Sequence, residues 1–146
     1  MKVNSQIEAF FVASEMEKRA IRMYERMGIL FEEKETQAML QKLLNDEQTH
    51  LRCFTDWLDG QAPQSENALI LSAEASGILF PGGLTEALRH GAASSAEAVR
   101  LYAIEQEDIA VRTYRLFAEQ CTGEARQAFL AIADEENRHL DALKEM

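Results

Sequence analysis

The sequence predicts an all-α chain, with four long helices forming a bundle of two antiparallel hairpins joined by one long crossover. Three observations carry this expectation. Apolar residues recur at steps of three and four along four long segments. Only two prolines, Pro63 and Pro81, interrupt the pattern, and both fall mid-chain. The stretches on either side of that middle region repeat one another. At 146 residues and 47% hydrophobic composition, the chain reads as one domain, 1–146, with enough apolar material for a real core.

The first helix is expected over about 5–30, breaking near Gly28, and the second over about 35–59, with Gly60 behind it. Together they form the first hairpin, about 5–59. Glu32-Glu33-Lys34-Glu35 reads as a charge cluster at a helix start. The crossover, about 60–94, contains Pro81-Gly82-Gly83, with short helices expected over about 67–76 and 84–90. A tight turn does not need so many residues, whereas a connection along a helix of roughly 37 Å does. The third helix is expected over about 95–121, with Ser95 as N-cap and Glu97 behind it. Gly123 opens the fourth, about 123–144, and the second hairpin spans about 95–146. Short links make the partners in each hairpin antiparallel, and the crossover makes the second and third helices parallel.

Each helix has a readable inward stripe. The first carries Ile7, Phe10, Ser14, Glu17, Ile21 and Tyr24; the second carries Leu40, Leu43, Glu47, His50, Phe54 and Trp57. The third carries Ile104, Glu107, Val111, Tyr114 and Ala118; the fourth carries Phe129, Ile132, Glu136, His139 and Leu143. One glutamate thus sits near the middle of every apolar stripe. A lone buried carboxylate costs several kcal/mol, so a compensating charge is expected.

Two of the three histidines follow a glutamate by three residues, in Glu47-Gln48-Thr49-His50 and Glu136-Asn137-Arg138-His139. On a helix that spacing puts a carboxylate and an imidazole on one face, able to grip one metal ion from one side. The repeat supplies partners. The string 14–24 parallels 104–114, with Glu17, Ala20 and Tyr24 matching Glu107, Ala110 and Tyr114. Glu17 and Glu47 lie about equally far from the first hairpin turn, and Glu107 and Glu136 from the second. At 1.5 Å per residue all six candidates reach one layer of the bundle.

Charge counting indicates the guest. Four carboxylates contribute four negative charges, which two divalent cations cancel. Oxygen and nitrogen ligands without thiolate suit iron or manganese, with zinc a further occupant. The formal net charge of −10 argues against nucleic acid and anionic membranes as partners. No apolar run is expected to span a bilayer, and the N-terminus has no signal-like apolar segment, so the expected location is cytoplasmic. Cys53 and Cys121 form no CxxC pair and read as free thiols. His90 reads as a surface residue with no Glu or Cys at ligand spacing. Glu15 and Glu105 read as solvated, and Met16, Met23, Met27 and Met39 as packing.

The one-Glu, one-Glu, Glu-x-x-His, Glu-x-x-His pattern resembles that of ferritin-like di-iron carboxylate proteins. The two Glu-x-x-Ala-x-x-x-Tyr strings, at Glu17/Ala20/Tyr24 and Glu107/Ala110/Tyr114, look closest to rubrerythrin-type members lacking a rubredoxin domain. The resemblance implies a ferritin-like fold, a pair of iron ions on Glu17, Glu47, His50, Glu107, Glu136 and His139, and reduction of peroxide or dioxygen. It implies Tyr24 and Tyr114 as candidate catalytic residues, each bonding a ligand carboxylate of the opposite hairpin, and a homodimer. Asp46 and Glu135 could accept the second ring N–H of His139 and His50. Two departures bear on function. Without a CxxC iron site, electrons must come from a separate donor protein. A further glutamate common in rubrerythrins is replaced by Ala110, which leaves a six-residue set equally suited to a ferroxidase that handles iron. A helical interaction protein with a structural metal site is the third reading.

Overall fold

Ser5 starts α1 (Gln6–Ile29) by accepting the backbone N–H of Glu8 on its hydroxyl at 3.2 Å. A short link leads to α2 (Lys34–Leu58), which stops where Asp59 and Gly60 turn left-handed, φ 49° and 76°. The crossover folds into α3 (Ser65–Ile78) and α4 (Gly83–Arg89), each starting slightly earlier than the sequence predicts. Ser95 caps α5 (Ala96–Ala118) by accepting from the Ala98 N–H at 3.0 Å, and α6 (Gly123–Lys144) completes the chain. This computed structural model describes residues 3–146, and all regular structure among them is helical.

α1 packs along α2, α5 packs along α6, and the two pairs meet through α1 with α5 and α2 with α6. Cross-contacts give the directions. Tyr24 meets Glu107 while Tyr114 meets Glu17, so α1 and α5 are antiparallel. His50 meets Glu135 while His139 meets Asp46, so α2 and α6 are antiparallel too. α2 and α5 therefore point the same way, as a long crossover requires. The arrangement is compatible with the expected bundle.

An aromatic cluster fills one end of the interior. Phe10 stacks on Phe129 at 4.4 Å between centroids, and Phe54 sits 5.3 Å from Phe129 and 5.2 Å from Tyr114. At the opposite end Leu40, Leu43, Val99 and Leu143 are buried together with Tyr24. The acidic layer lies between these two apolar plugs.

The inward stripes differ from expectation at their edges. Ile7 is 37% exposed, and Ile21, Ile104 and Trp57 are only half-buried. Ala9, Val12, Ala13, Met16 and Met23 are instead fully buried on α1. The reason is that α1 touches α3 and α4 as well as α2 and α5, so it needs apolar residues around more of its circumference.

The crossover is anchored rather than loosely draped. Arg19 donates to the carbonyls of Leu79 and Phe80 at 2.8 and 2.6 Å, and the Phe80 N–H donates to Gln106 Oε1 at 2.7 Å. The turn depends on Gly82, at φ 78°, where a Cβ would run into the Glu86 side chain. Contrary to expectation, one stretch, Ser65–Arg89, is by length and composition alone apolar enough to cross a membrane, at mean hydropathy 1.3. Its Ala, Leu, Ile and Phe residues raise the average, while Ser72, Glu74 and Ser76 keep it from being an uninterrupted apolar run. In the folded chain this stretch is broken at Leu79–Gly82, and Leu69 and Ile70 of α3 are exposed.

Candidate metal centre

Each long helix delivers its mid-stripe glutamate into one layer. Glu17, Glu47, His50, Glu107 and Glu136 are buried, and His139 is nearly so, with 12% of its side chain exposed. Their ligand atoms form two groups, each with all members within 4.8 Å of one another. One group is Glu17, Glu47, His50 and Glu136; the other is Glu47, Glu107, Glu136 and His139. Glu47 and Glu136 belong to both. Glu17 with His50, and Glu107 with His139, flank the shared pair from opposite sides. All six candidates read from the sequence thus come together.

The decisive feature is what these atoms lack. Glu17 Oε2, Glu47 Oε1, His50 Nδ1, Glu107 Oε2, both carboxylate oxygens of Glu136 and His139 Nδ1 are buried without a hydrogen-bond partner. Buried polar atoms are nearly always paired, because an unsatisfied one costs about 1–3 kcal/mol. His50 Nδ1 and Glu136 Oε1 do lie 2.7 Å apart, yet their approach lacks hydrogen-bond alignment. Orphan atoms on all six residues, aimed into one layer, fit a multivalent cation. The mixed carboxylate and imidazole donors suit a hard or borderline metal.

Outer contacts hold these side chains in place. His50 Nε2 lies 2.7 Å from Glu135 Oε2, and His139 Nε2 lies 3.0 Å from Asp46 Oδ2. Both imidazoles thus turn Nδ1 toward the layer; His50 Nε2 is engaged by a hydrogen bond to Glu135, whereas Asp46 lies close to His139 Nε2 without hydrogen-bond alignment. Tyr24 donates to Glu107 Oε1 at 2.8 Å, and Tyr114 donates to Glu17 Oε1 at 2.6 Å. Burial, reinforced by the surrounding glutamates, pushes both phenols well above their usual range, so they remain proton donors.

Without a cation the layer redistributes protons. Burial raises Glu17 to about 7, and burial with charge repulsion from Glu136 and Glu17 raises Glu47 well above the carboxylate range. Burial also disfavours charge on Glu136, but contact with both histidines outweighs it and lowers the group to about 2. His50 is desolvated as well, yet Glu136 and Glu17 raise it to about 10. One imidazolium–carboxylate pair and protonated glutamates thus take over the neutralisation that two divalent cations would provide.

Other candidates lie elsewhere. His90 is exposed at the C-cap of α4, but Glu86 does stand at ligand spacing, one turn earlier, with Oε1 2.7 Å from its ring. The expectation overlooked the four-residue step. That pair belongs to neither metal-compatible group. Glu15 reaches Lys18 at 3.4 Å, and Glu105 is exposed. Cys53 is half-buried and Cys121 buried, both as free thiols that burial shifts upward.

Phe80, Gln106 and Arg19 are the residues that sequence reading passed over. Phe80 is fully buried and packs edge-on against Tyr24 at 5.5 Å, so the anchored crossover backs the tyrosine that holds Glu107. A signal existed: Gln106 occupies the repeat position of Met16, and a polar residue aligned with a buried methionine implies a specific partner. A cavity of about 380 Å³ between α2 and α6 leads from the surface to both histidines, past Lys42, Asp46, Glu135 and Arg138.

Compared with known proteins, the chain matches no family model, no curated protein and no solved structure.

Proposed function

We propose that the chain is a ferritin-like di-iron protein of the rubrerythrin type, which reduces hydrogen peroxide or dioxygen with electrons from a separate donor protein. The observation that carries this reading is the convergence of orphaned atoms from six side chains in one buried layer, shared around Glu47 and Glu136. On this reading Glu47 and Glu136 would serve both metal positions, and Glu17 with His50 and Glu107 with His139 would complete one position each. When bound, a pair of ferrous ions would supply the two electrons that, with two protons, reduce one peroxide to two water molecules; dioxygen would draw two further electrons from the donor protein. The chain's own residues do the rest. The apolar plugs close the two ends of the layer, Glu135 orients His50 with Asp46 beside His139, and Tyr24 and Tyr114 hold protons at their phenol oxygens beside Glu107 and Glu17. A homodimer in an aqueous compartment such as the cytoplasm goes with this reading.

The test is kinetic. Anaerobically reduced, iron-loaded protein should be reoxidised by stoichiometric peroxide much faster than by dioxygen, with water as the product. Equal rates would sink the peroxidase reading. A ferroxidase is the second reading, favoured by the symmetry of the site: Ala20 and Ala110 are buried at equivalent positions, and among the described residues no fifth carboxylate joins the two groups. It predicts oxidation of many ferrous ions per chain, whereas the peroxidase reading predicts oxidation of only the resident pair. Manganese or zinc in place of iron would show in elemental analysis.

A further inference from the structure

The two halves of the site are near-equivalent in sequence but not in surroundings. His50 has 2% of its side chain exposed, whereas His139 has 12%. A cavity of about 420 Å³ accounts for part of the difference: His139 lines it and His50 does not. Its walls are apolar, formed by Met39, Leu43, Ala142 and Leu143, where α2 and α6 diverge beyond the acidic layer. The volume lies within the range of small-molecule sites, which are concave, mostly apolar and carry a few polar groups. Methionine on the wall can repack around ligands of different shape.

The rim charges narrow the ligand class. Glu35, Asp46 and Lys42 line the cavity along with His139, and Lys42 lies 3.9 Å from Asp46. Two acids against one base disfavour a carboxylate or phosphate headgroup. The apolar walls equally disfavour a polar cation. From this we infer that the cavity is a binding site for an uncharged organic molecule with a hydrocarbon body, seated between α2 and α6 with one end against His139. The inference concerns binding to the polypeptide and stands whether or not the proposed redox chemistry is correct.

The probe is 1-octanol, titrated into metal-free protein and followed by amide and imidazole NMR shifts. Saturable shifts confined to Met39, Leu43, Ala142, Leu143 and the His139 ring are expected, with the His50 ring largely unmoved. Octanoate, of equal chain length, should bind at least tenfold more weakly. Ala142 is exposed on α6, so Ala142→Trp should fold normally while narrowing the cavity and weakening octanol at least tenfold. Four outcomes would overturn the inference: absence of saturation, shifts centred on the exposed Leu69 and Ile70 of α3, octanoate binding as tightly as octanol, or unchanged affinity in Ala142→Trp. A fifth would do the same by assigning the groove to a second copy of the chain, namely dimer dissociation by Ala142→Trp with no octanol binding to the wild-type protein.

Discussion

Glu107 and Glu47 make opposite predictions although both are buried glutamates in the same layer. Glu107 belongs to one metal-compatible group and Glu47 to both. Glu107→Ala should therefore lower bound metal from about two to about one ion per chain, and Glu47→Ala should abolish it. Elemental analysis of both variants checks this, and equal losses would remove the shared-ligand assignment. Tyr114 acts one step outward. Its phenol donates to Glu17 at 2.6 Å in a fully buried setting, so Tyr114→Phe leaves a carboxylate oxygen without its donor. The expected loss is about 1–3 kcal/mol in denaturant unfolding of the metal-free protein. A loss within error of zero would mean that the hydrogen bond contributes nothing net.

Among elements, the crossover separates local rules from tertiary ones. Gly82 has φ 78° and no room for a Cβ, so Gly82→Ala should destabilise the chain by roughly 1–3 kcal/mol. Gly77, inside α3, has open space around it, so Gly77→Ala should stabilise it by about 0.5–1 kcal/mol. Thermal denaturation of the pair checks both signs at once. The long helices were legible because each carries a sustained three-and-four pattern, helped by the cap at Ser95 and the breaks near Gly60 and Gly123; the cap at Ser5 was not read. The six site residues were legible because a charged residue on an apolar stripe violates the pattern that reveals it, and the repeat showed the violation twice. What α3 packs against was not legible. Its apolar residues do not gather on one helical face, so nothing in α3 says which side turns inward, and the extra burial on α1 and the exposure of Ile7 could not be foreseen. Phe80 was hidden for a related reason: its place against Tyr24 is set by Arg19 and Gln106, residues distant in sequence.

For the whole molecule, the central account is that a buried acidic layer is tolerated because cations neutralise it. Metal-free protein should then have an inverted pH dependence. Between about pH 4.5 and 7, Glu17 is ionised when unfolded but retains its proton when folded, with its folded value near 7. Folded protein thus binds more protons, and stability must fall as pH rises through this window, by on the order of 3 kcal/mol from this residue alone. His50, raised to about 10, extends the decline above pH 6.5. Metal binding expels those protons, so the stabilisation conferred by metal should grow over the same range. Melting temperatures measured at pH 5 and 7, with and without ferrous iron, should diverge in this sense. Metal-free protein that gains stability over this range would contradict the burial argument.

The most direct single measurement is metal stoichiometry after anaerobic loading with ferrous iron and removal of the excess, for the wild-type protein beside the Glu47→Ala/Glu136→Ala double variant. The account predicts about two ions per wild-type chain and essentially none in the variant, with helical content retained in both. Fewer than one ion per wild-type chain, or equal retention by the double variant, would contradict a dinuclear site built around Glu47 and Glu136.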